Sequence, residues 1–273
     1  MNWSRVKTIL IILFLCTDLF LVAIYMTSRY SATTISGEMI ENTVSALKNN
    51  KITINPDIIP RKIQSIPYAE AENAIPDYES FAKKLLGNNL NKIDYGYSGD
   101  YGTVTFYGDR FNYQKNPDAF ILTDSITINK EQTAKDVASA DLKQLGFDLS
   151  KATVSASKKN GNFTVVFENK ANELPIFNSR VTVELSKYGV VSISGIWFNQ
   201  TENTGNDTEL KKVTSALIQF IPQLPDGGEI VKLQMGYNIF DKESFHKSAT
   251  LIPVWHITCK DGSTYLLDAR NTN

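Results

Sequence analysis

The sequence predicts an α+β protein carried on a single N-terminal transmembrane helix. Three observations predict it. An apolar run from about Thr8 to Met26 opens the chain. Three later segments place apolar residues at helical spacing, and each precedes a set of alternating apolar and polar residues. Hairpin signals join the alternating segments, which favours meandering antiparallel sheets over a doubly wound parallel one.

The opening run comes first. At 1.5 Å per residue, roughly 19 helical residues reach about 28 Å, close to the thickness of a bilayer core. Arg5 and Lys7 precede the run and only Arg29 follows closely, so the basic bias places the N-terminus in the cytoplasm and the remainder outside. Trp3 at one end and Tyr25 and Tyr30 at the other suit the two interfaces. A cleaved signal peptide has a shorter apolar core and a small-x-small site. Here Ala23-Ile24-Tyr25 is a poor site and the stretch from Ser28 to Ala32 only slightly better, so an anchor is the reading kept. A lipid on Cys16 is disfavoured, because Leu15 stands where a lipobox has a small residue.

Asp18 breaks the rule of the run. An Asp at the centre of a span costs roughly 2.5–3.5 kcal/mol and usually faces a protein partner or another polar group. One reading is a protonated side chain bonded to its own helix. The other is a helix–helix contact with another chain, favoured here because a single anchor has no second helix to shelter Asp18.

The formal net charge is −1, with a pI of about 6.2 and no basic block, so nucleic-acid binding has no support. A hydrophobic content of 42% suits a globular chain, and the part after the anchor is long enough for one large domain or two small ones. The two cysteines, Cys16 and Cys259, fall on opposite sides of the expected topology and cannot pair. An exported region without a disulfide fits Gram-positive bacteria better than a eukaryotic secretory pathway.

Ser31 to Asn50 reads as a juxtamembrane helix with Ile40, Val44 and Leu47 in one stripe. Lys51 to Pro76 holds four prolines and reads as extended surface chain or a sheet edge. A helix follows with Asp77 as N-cap, Tyr78, Phe81, Ala82 and Leu85 on one face, and Gly87 as its stop. Strands are expected from Tyr101 to Tyr107 and from Arg110 to Tyr113. The next helix has Asn129 as N-cap with Gln132 three residues on. Its stripe is Ala134, Val137, Ala138, Leu142 and Leu145, closed by Gly146. Alternation then groups Phe163, Val165 and Phe167, next Val181, Val183 and Leu185, then Val191, Ile193 and Trp197. Asn160-Gly161 and Tyr188-Gly189 are the hairpin turns. Asn199 to Asp207 reads as a linker. A last helix from Thr208 aligns Leu210, Val213, Leu217, Phe220 and Ile221 and ends at Pro222. Strands are expected from Ile230 to Ile239, Leu251 to Cys259 and Thr264 to Ala269, with Asp261-Gly262 as a tight turn. These elements group as an anchor over residues 1–30, a first outer module over 31–127 and a second over 128–273.

Sites for chemistry are few. His246 lies in a polar loop, and His256 sits in a strand with Val254 and Thr258, so both read as structural. Their spacing fits no zinc motif, no cysteine pair completes one, and no cofactor or metal is expected. Gly-x-Ser-x-Gly, a Walker loop and a dinucleotide fingerprint are all absent from the sequence. Asp94, Asp100 and Asp109 surround the first hairpin, where solvated loop acids explain them better than a paired-carboxylate site. Trp197 and Trp255 have apolar neighbours and read as core. A non-enzymatic protein is the expectation.

The opening MNWSRVKTILIILFL, the middle segment NELPIFNSRVTVEL from Asn172 to Leu185, and the closing segments GGEIVKLQMGYNIF and LIPVWHITCKDGSTYLLDA, from Gly227 to Ala269, resemble the YycI-type regulatory proteins. The stretch from Tyr68 to Asp118 matches least clearly. The family often has Asn where this chain has Asp18. The resemblance implies a membrane-anchored regulator of the WalK/WalR (YycG/YycF) two-component system of Gram-positive bacteria, which controls cell-wall metabolism. It implies action beside a YycH-like partner and transmembrane contact with the sensor kinase. It also implies an outer α+β region of the YycH and PepSY-like kind, and it carries over no catalytic residue. The alternative is a PepSY-like inhibitor or chaperone of an extracellular peptidase or wall hydrolase; a third is an extracellular enzyme acting on wall polymers.

Overall fold

The computed structural model describes residues 3–62, 66–67, 69–117, 127–201, 207–208, 210–224, 227–239 and 248–271. The protein is α+β, with an apolar N-terminal helix and a large sheet in which most strand pairs are antiparallel.

The helix α1 (Trp3–Thr33) holds the expected span. It runs further than the span requires, and the juxtamembrane helix is correspondingly shorter: α2 covers Gly37–Asn49, not the expected start at Ser31. The break has a local cause. Ser36 takes an extended conformation and its hydroxyl accepts from the Met39 amide, capping α2. Just before it, the Ile35 amide donates to the Arg61 carbonyl at 2.8 Å.

The chain condenses into two compact units that interleave along the sequence. The first comprises Met1–Ser65, Leu210–Leu233 and Ile257–Tyr265. In it α2 packs on α5 (Val213–Phe220), burying Ile40, Thr43 and Leu47 from one and Val213, Leu217 and Phe220 from the other. The helix expected from Thr208 starts only at Val213, because Asp207–Thr208 form a short strand with Ile66–Pro67. It passes at Ile221 into a 3₁₀ turn that accommodates Pro222. The strand β1 (Thr53–Ile54) pairs in parallel with the start of β14 (Glu229–Ile239).

The second unit comprises Ile66–Glu209, Gln234–His256 and Leu266–Asn273. Its N-terminal part holds β2 (Ile66–Pro67), β3 (Ala69–Asn73), α3 (Tyr78–Leu86), β4 (Asn91–Ile93), β5 (Gly96–Gly99), β6 (Gly102–Tyr107) and β7 (Arg110–Lys115). Next come α4 (Glu131–Leu145), β8 (Thr153–Lys159), β9 (Asn162–Ala171), β10 (Leu174–Ser186), β11 (Gly189–Ile196), β12 (Phe198–Gln200) and β13 (Asp207–Thr208). The remaining strands are β15 (Ser248–Cys259) and β16 (Thr264–Asp268). The sheet runs in the order β12-β3-β15-β14-β10-β11-β7-β6-β5-β4, with β9 also paired to β10 and β8 paired to β9.

The boundary expected between residues 127 and 128 does not divide this core. Strand β7 pairs with β11, placing Tyr113 opposite Ile193. Phe81 of α3 meets Phe111 edge-on at 5.2 Å between ring centroids and Phe147 at 6.1 Å, and Phe147 in turn meets Trp197. Each helix has only one apolar face, and the two faces cover a shared apolar floor: α3 over β5 and β6, α4 over β8 and β9. Phe163, Val165, Phe167, Val181 and Val183 are all fully buried there, and burying a side chain of this size contributes about 1.5–3 kcal/mol.

Capping matches the sequence at α3, where Asp77 accepts from the Glu79 amide and Gly87 follows. It differs at α4. Lys130, not Asn129, precedes the first turn and makes no side-chain cap, while Gly146 closes the helix in the left-handed conformation. Asn160 and Gly161 both take positive φ in a two-residue turn between Lys159 and Asn162, the hairpin geometry their identities favour. In the following hairpin the turn residues are Lys187 and Tyr188, and Gly189 already pairs with Ser186. The segment expected at a sheet edge instead holds β3, inserted between β12 and β15. Small buried Ala69 and Ala71 alternate with exposed Glu70 and Glu72, and Pro67 and Pro76 bracket the strand without interrupting it. Of the expected linker from Asn199 to Asp207, residues 199–200 belong to β12, and residues 202–206 lie outside the described residues.

Candidate functional site

Two places are candidates for a functional site: the apolar helix α1, and a cavity beside α4. In α1 the stretch Val6–Met26 has a mean hydropathy of 2.6 and none of it is buried within the chain. Asp18 is exposed on it. One turn away on either side stand Phe14, Leu15, Leu21 and Val22, all exposed apolar side chains. Thr17 donates to the Leu13 carbonyl within the helix. Near the N-terminus, Lys7 Nζ lies 5.8 Å from the centroid of the Trp3 ring. The Arg5 side chain lies outside the described residues.

The other residues singled out in the sequence are dispersed. Asn73 Nδ2 donates to Asp109 Oδ1, Asn89 Nδ2 donates to Asp100 Oδ2, and Asp94 is exposed. His256 is half-buried and stacks on Phe177, with ring centroids 4.5 Å apart, as expected of a structural histidine. His246 lies outside the described residues. Trp197 and Trp255 are buried. Among the described residues no three metal-ligating side chains cluster.

The cavity has a volume of about 540 Å³, within the range of small-molecule sites. Its wall is built by the outer part of the α4 face. Val137, Asp141 and Leu145 recur at four-residue intervals and share one helix face, and all three line it, with Ala140 and Gln144 beside them. Strand β7 contributes Tyr113, whose hydroxyl donates to the Tyr101 carbonyl, and Lys115. Strand β11 contributes Val190 and Ile193.

That last pair departs from the alternation read in the sequence, which put Val191 with Ile193. A register shift pairs Glu184 with Ser192 but Leu185 with Val190, so Val191 is the extra residue of a bulge. The bulge turns Val190 toward the core, where it packs. Helix α3 supplies Leu85 and Lys84, and Lys84 Nζ donates to the Leu145 carbonyl at 3.3 Å, satisfying a group at the C-terminus of α4.

Asp141 is the titratable group of note. Burial pushes its carboxyl up to about 6 from an ordinary value of 3.8. Sequence reading passed over Asp141. The available signal was its place one turn from both Val137 and Leu145.

The YycI protein family matches residues 31–270. No curated protein matches the chain in sequence. Among solved structures, an uncharacterized protein from Eubacterium rectale is similar at 12% identity and a TM-score of 0.47, covering 85% of this chain and 97% of that one. YycH from Bacillus subtilis is similar at 9% identity and a TM-score of 0.45, covering 76% of this chain, which spans about half (54%) of YycH. The C-terminal domain of YpeB from Bacillus megaterium is similar at 12% identity and a TM-score of 0.31, covering 71% of this chain and 92% of that domain. It is the family match, running over nearly all of the chain beyond the apolar helix, that carries the assignment: the chain belongs to the YycI family.

Proposed function

We propose that this protein is a membrane-anchored, non-enzymatic regulator of a WalK-type sensor histidine kinase, acting beside a YycH-like partner. The observation that carries the reading is the family match over residues 31–270. The character of α1 supports the anchor: a predominantly apolar stretch of 21 residues that the rest of the chain does not cover needs another apolar surrounding, and a bilayer supplies it. Arg5 and Lys7 hold the N-terminus in the cytoplasm, leaving the region from Ser31 onward outside the cell. Asp18 faces a helix of the kinase or of the partner, where its polar group is satisfied at lower cost than in lipid.

The test is a membrane two-hybrid assay between this protein and the kinase at matched expression. Asp18→Leu should weaken association by about 1 kcal/mol, the loss of one interhelical hydrogen bond. Asp18→Asn should retain more, because it still donates and accepts. Parent-like association of the Leu variant overturns the role of Asp18. Absence of the kinase and of a YycH-like protein from crosslinked membranes, with a wall hydrolase recovered in their place, overturns the regulatory reading itself. A C-terminal reporter active only in the cytoplasm overturns the topology.

A further inference from the structure

We propose that the tips of the β8–β9 and β10–β11 hairpins form a cationic end of the sheet that docks on an anionic lipid surface through Lys158, Lys159, Lys187 and Tyr188. This goes beyond the regulatory reading and takes only the membrane anchoring from it.

The register brings the two tips together. Lys158 pairs with Phe163, and Phe163 pairs with Leu185, so β8, β9 and β10 end in one row. Neighbouring strands lie about 4.8 Å apart, which puts the first tip about 10 Å from the β10 end of the second. That is close to the Debye length of about 8–10 Å, so the three ammonium groups act as one field. Successive strand residues point to opposite faces, so Lys158 and Lys159 flank the first tip on both sides. Its turn is open, since nothing lies within 4 Å of where a Cβ on Gly161 would stand. The second tip is held in place. The Tyr188 amide donates to Ser186 Oγ at 3.1 Å, and the Ile128 amide donates to the Lys187 carbonyl at 3.1 Å.

The fold does not use these cations. Lys83, Arg180, Lys260 and Arg270 each pair with a carboxylate. Among the described residues Lys158, Lys159 and Lys187 pair with none, and all three are exposed. Lys158 Nζ stands 5.0 Å from the centroid of the Phe163 ring and Lys187 Nζ 4.5 Å from that of Tyr188, so rings hold their stems in place of acids. The acid nearest the tips on these strands, Glu184, accepts from Ser192 Oγ, and three lysines outweigh it.

Charge complementarity therefore calls for an anionic partner, and Tyr188 narrows the choice. Its side chain is exposed (59%) beside Lys187. An amphipathic ring next to ammonium groups suits the headgroup level of a bilayer, where the amines meet phosphate and the ring meets the acyl boundary. A soluble polyanion offers the ring no such boundary. The apolar stretch of α1 adds the last argument. A chain held in a bilayer keeps its outer region at high effective concentration near lipid, so a few weak contacts suffice.

The experiment uses the full chain in phosphatidylcholine nanodiscs, mixed with sedimentable vesicles of phosphatidylcholine alone or with an equal part of phosphatidylglycerol. The protein should co-sediment with the mixed vesicles at low salt, and not with phosphatidylcholine alone or at high salt. Lys159→Gln should weaken partitioning about fivefold, and Gln at Lys158, Lys159 and Lys187 together about a hundredfold. Tyr188→Ser should weaken it about threefold and leave the salt dependence in place. The same charge removed at Lys92, Lys143 and Lys232, which are exposed elsewhere, should change it less than about twofold. Equal partitioning of parent and tip triple variant overturns the proposal, as does equal loss in the two triple variants, which would trace binding to net charge alone. Binding of soluble polyphosphate more tightly, per phosphate, than of the mixed vesicles overturns the lipid assignment. A C-terminal reporter active only in the cytoplasm, by contrast, would overturn the topology and leave vesicle binding untouched.

Discussion

Helices α1 and α4 each carry an aspartate among apolar groups, Asp18 and Asp141, yet the two are built in opposite ways. In α1 the apolar neighbours of Asp18 are its neighbours in sequence, and the chain leaves the stretch Val6–Met26 exposed. In α4 the inner stripe of Ala134, Ala138 and Leu142 is buried against the sheet. Asp141 stands at the margin of that stripe, and part of its apolar surrounding, Leu85, Val190 and Ile193, comes from α3 and β11. One carboxyl is anomalous because of what precedes and follows it. The other is anomalous only because of how the chain folds.

The largest expected effect tests whether the sheet beneath α4 is the rigid floor this contrast needs. Phe167 on β9 is fully buried and sits opposite Val181 and Val154. Phe167→Ala should cost about 3–5 kcal/mol in urea unfolding of the full chain in nanodiscs, as large-to-small core substitutions do. A shift under about 1 kcal/mol would mean a floor that yields, and the burial that perturbs Asp141 would lose its support.

Next comes Asp18, whose surrounding under the proposed anchoring is lipid in place of protein. Asp18→Leu should favour membrane insertion by roughly 2.5–3.5 kcal/mol in a translocon assay, since the penalty for a central carboxyl disappears. Unchanged insertion would show that Asp18 already meets its polar demand within its own helix, and the contrast with Asp141 would narrow to one of exposure.

What was legible in the sequence follows the same division. The apolar run, the α3 cap at Asp77, the stop at Gly146 and the Asn160-Gly161 turn are read from residues a few positions apart, and the structure has all four. The readings that failed needed distant partners. Thr208 carries a helix-start signal, but pairing with Ile66 draws it into a strand. Alternation along β11 assigns Val191 to the core, but the register imposed by β10 makes it a bulge. A module boundary after residue 127 looks sound until β7 pairs with β11 and the aromatic side chains of both halves meet. The cavity belongs to this second class, assembled from α3, β7, α4 and β11, and no local window contains its pattern.

The smallest expected effect is on Asp141 itself, and it separates the two aspartates most cleanly. Its native pKa is raised to about 6 from 3.8, so the folded state holds the proton more tightly than the unfolded chain. The favourable contribution is therefore complete below about 4 and is lost as the pH rises through about 6; above that, the ionised carboxyl opposes folding. Asp141→Asn removes the charge while keeping the shape. It should stabilise the chain at pH 7.5 by on the order of 1–2 kcal/mol, a figure reduced because the carboxyl keeps some access to solvent, and by almost nothing at pH 4. Urea unfolding of parent and variant at the two pH values measures the difference directly. A variant equally shifted at both would trace the effect to altered packing of α4. A variant destabilised at pH 7.5 would show that the carboxylate already has a favourable partner there, and Asp141 would then resemble an ordinary surface acid more than the lone carboxyl of α1.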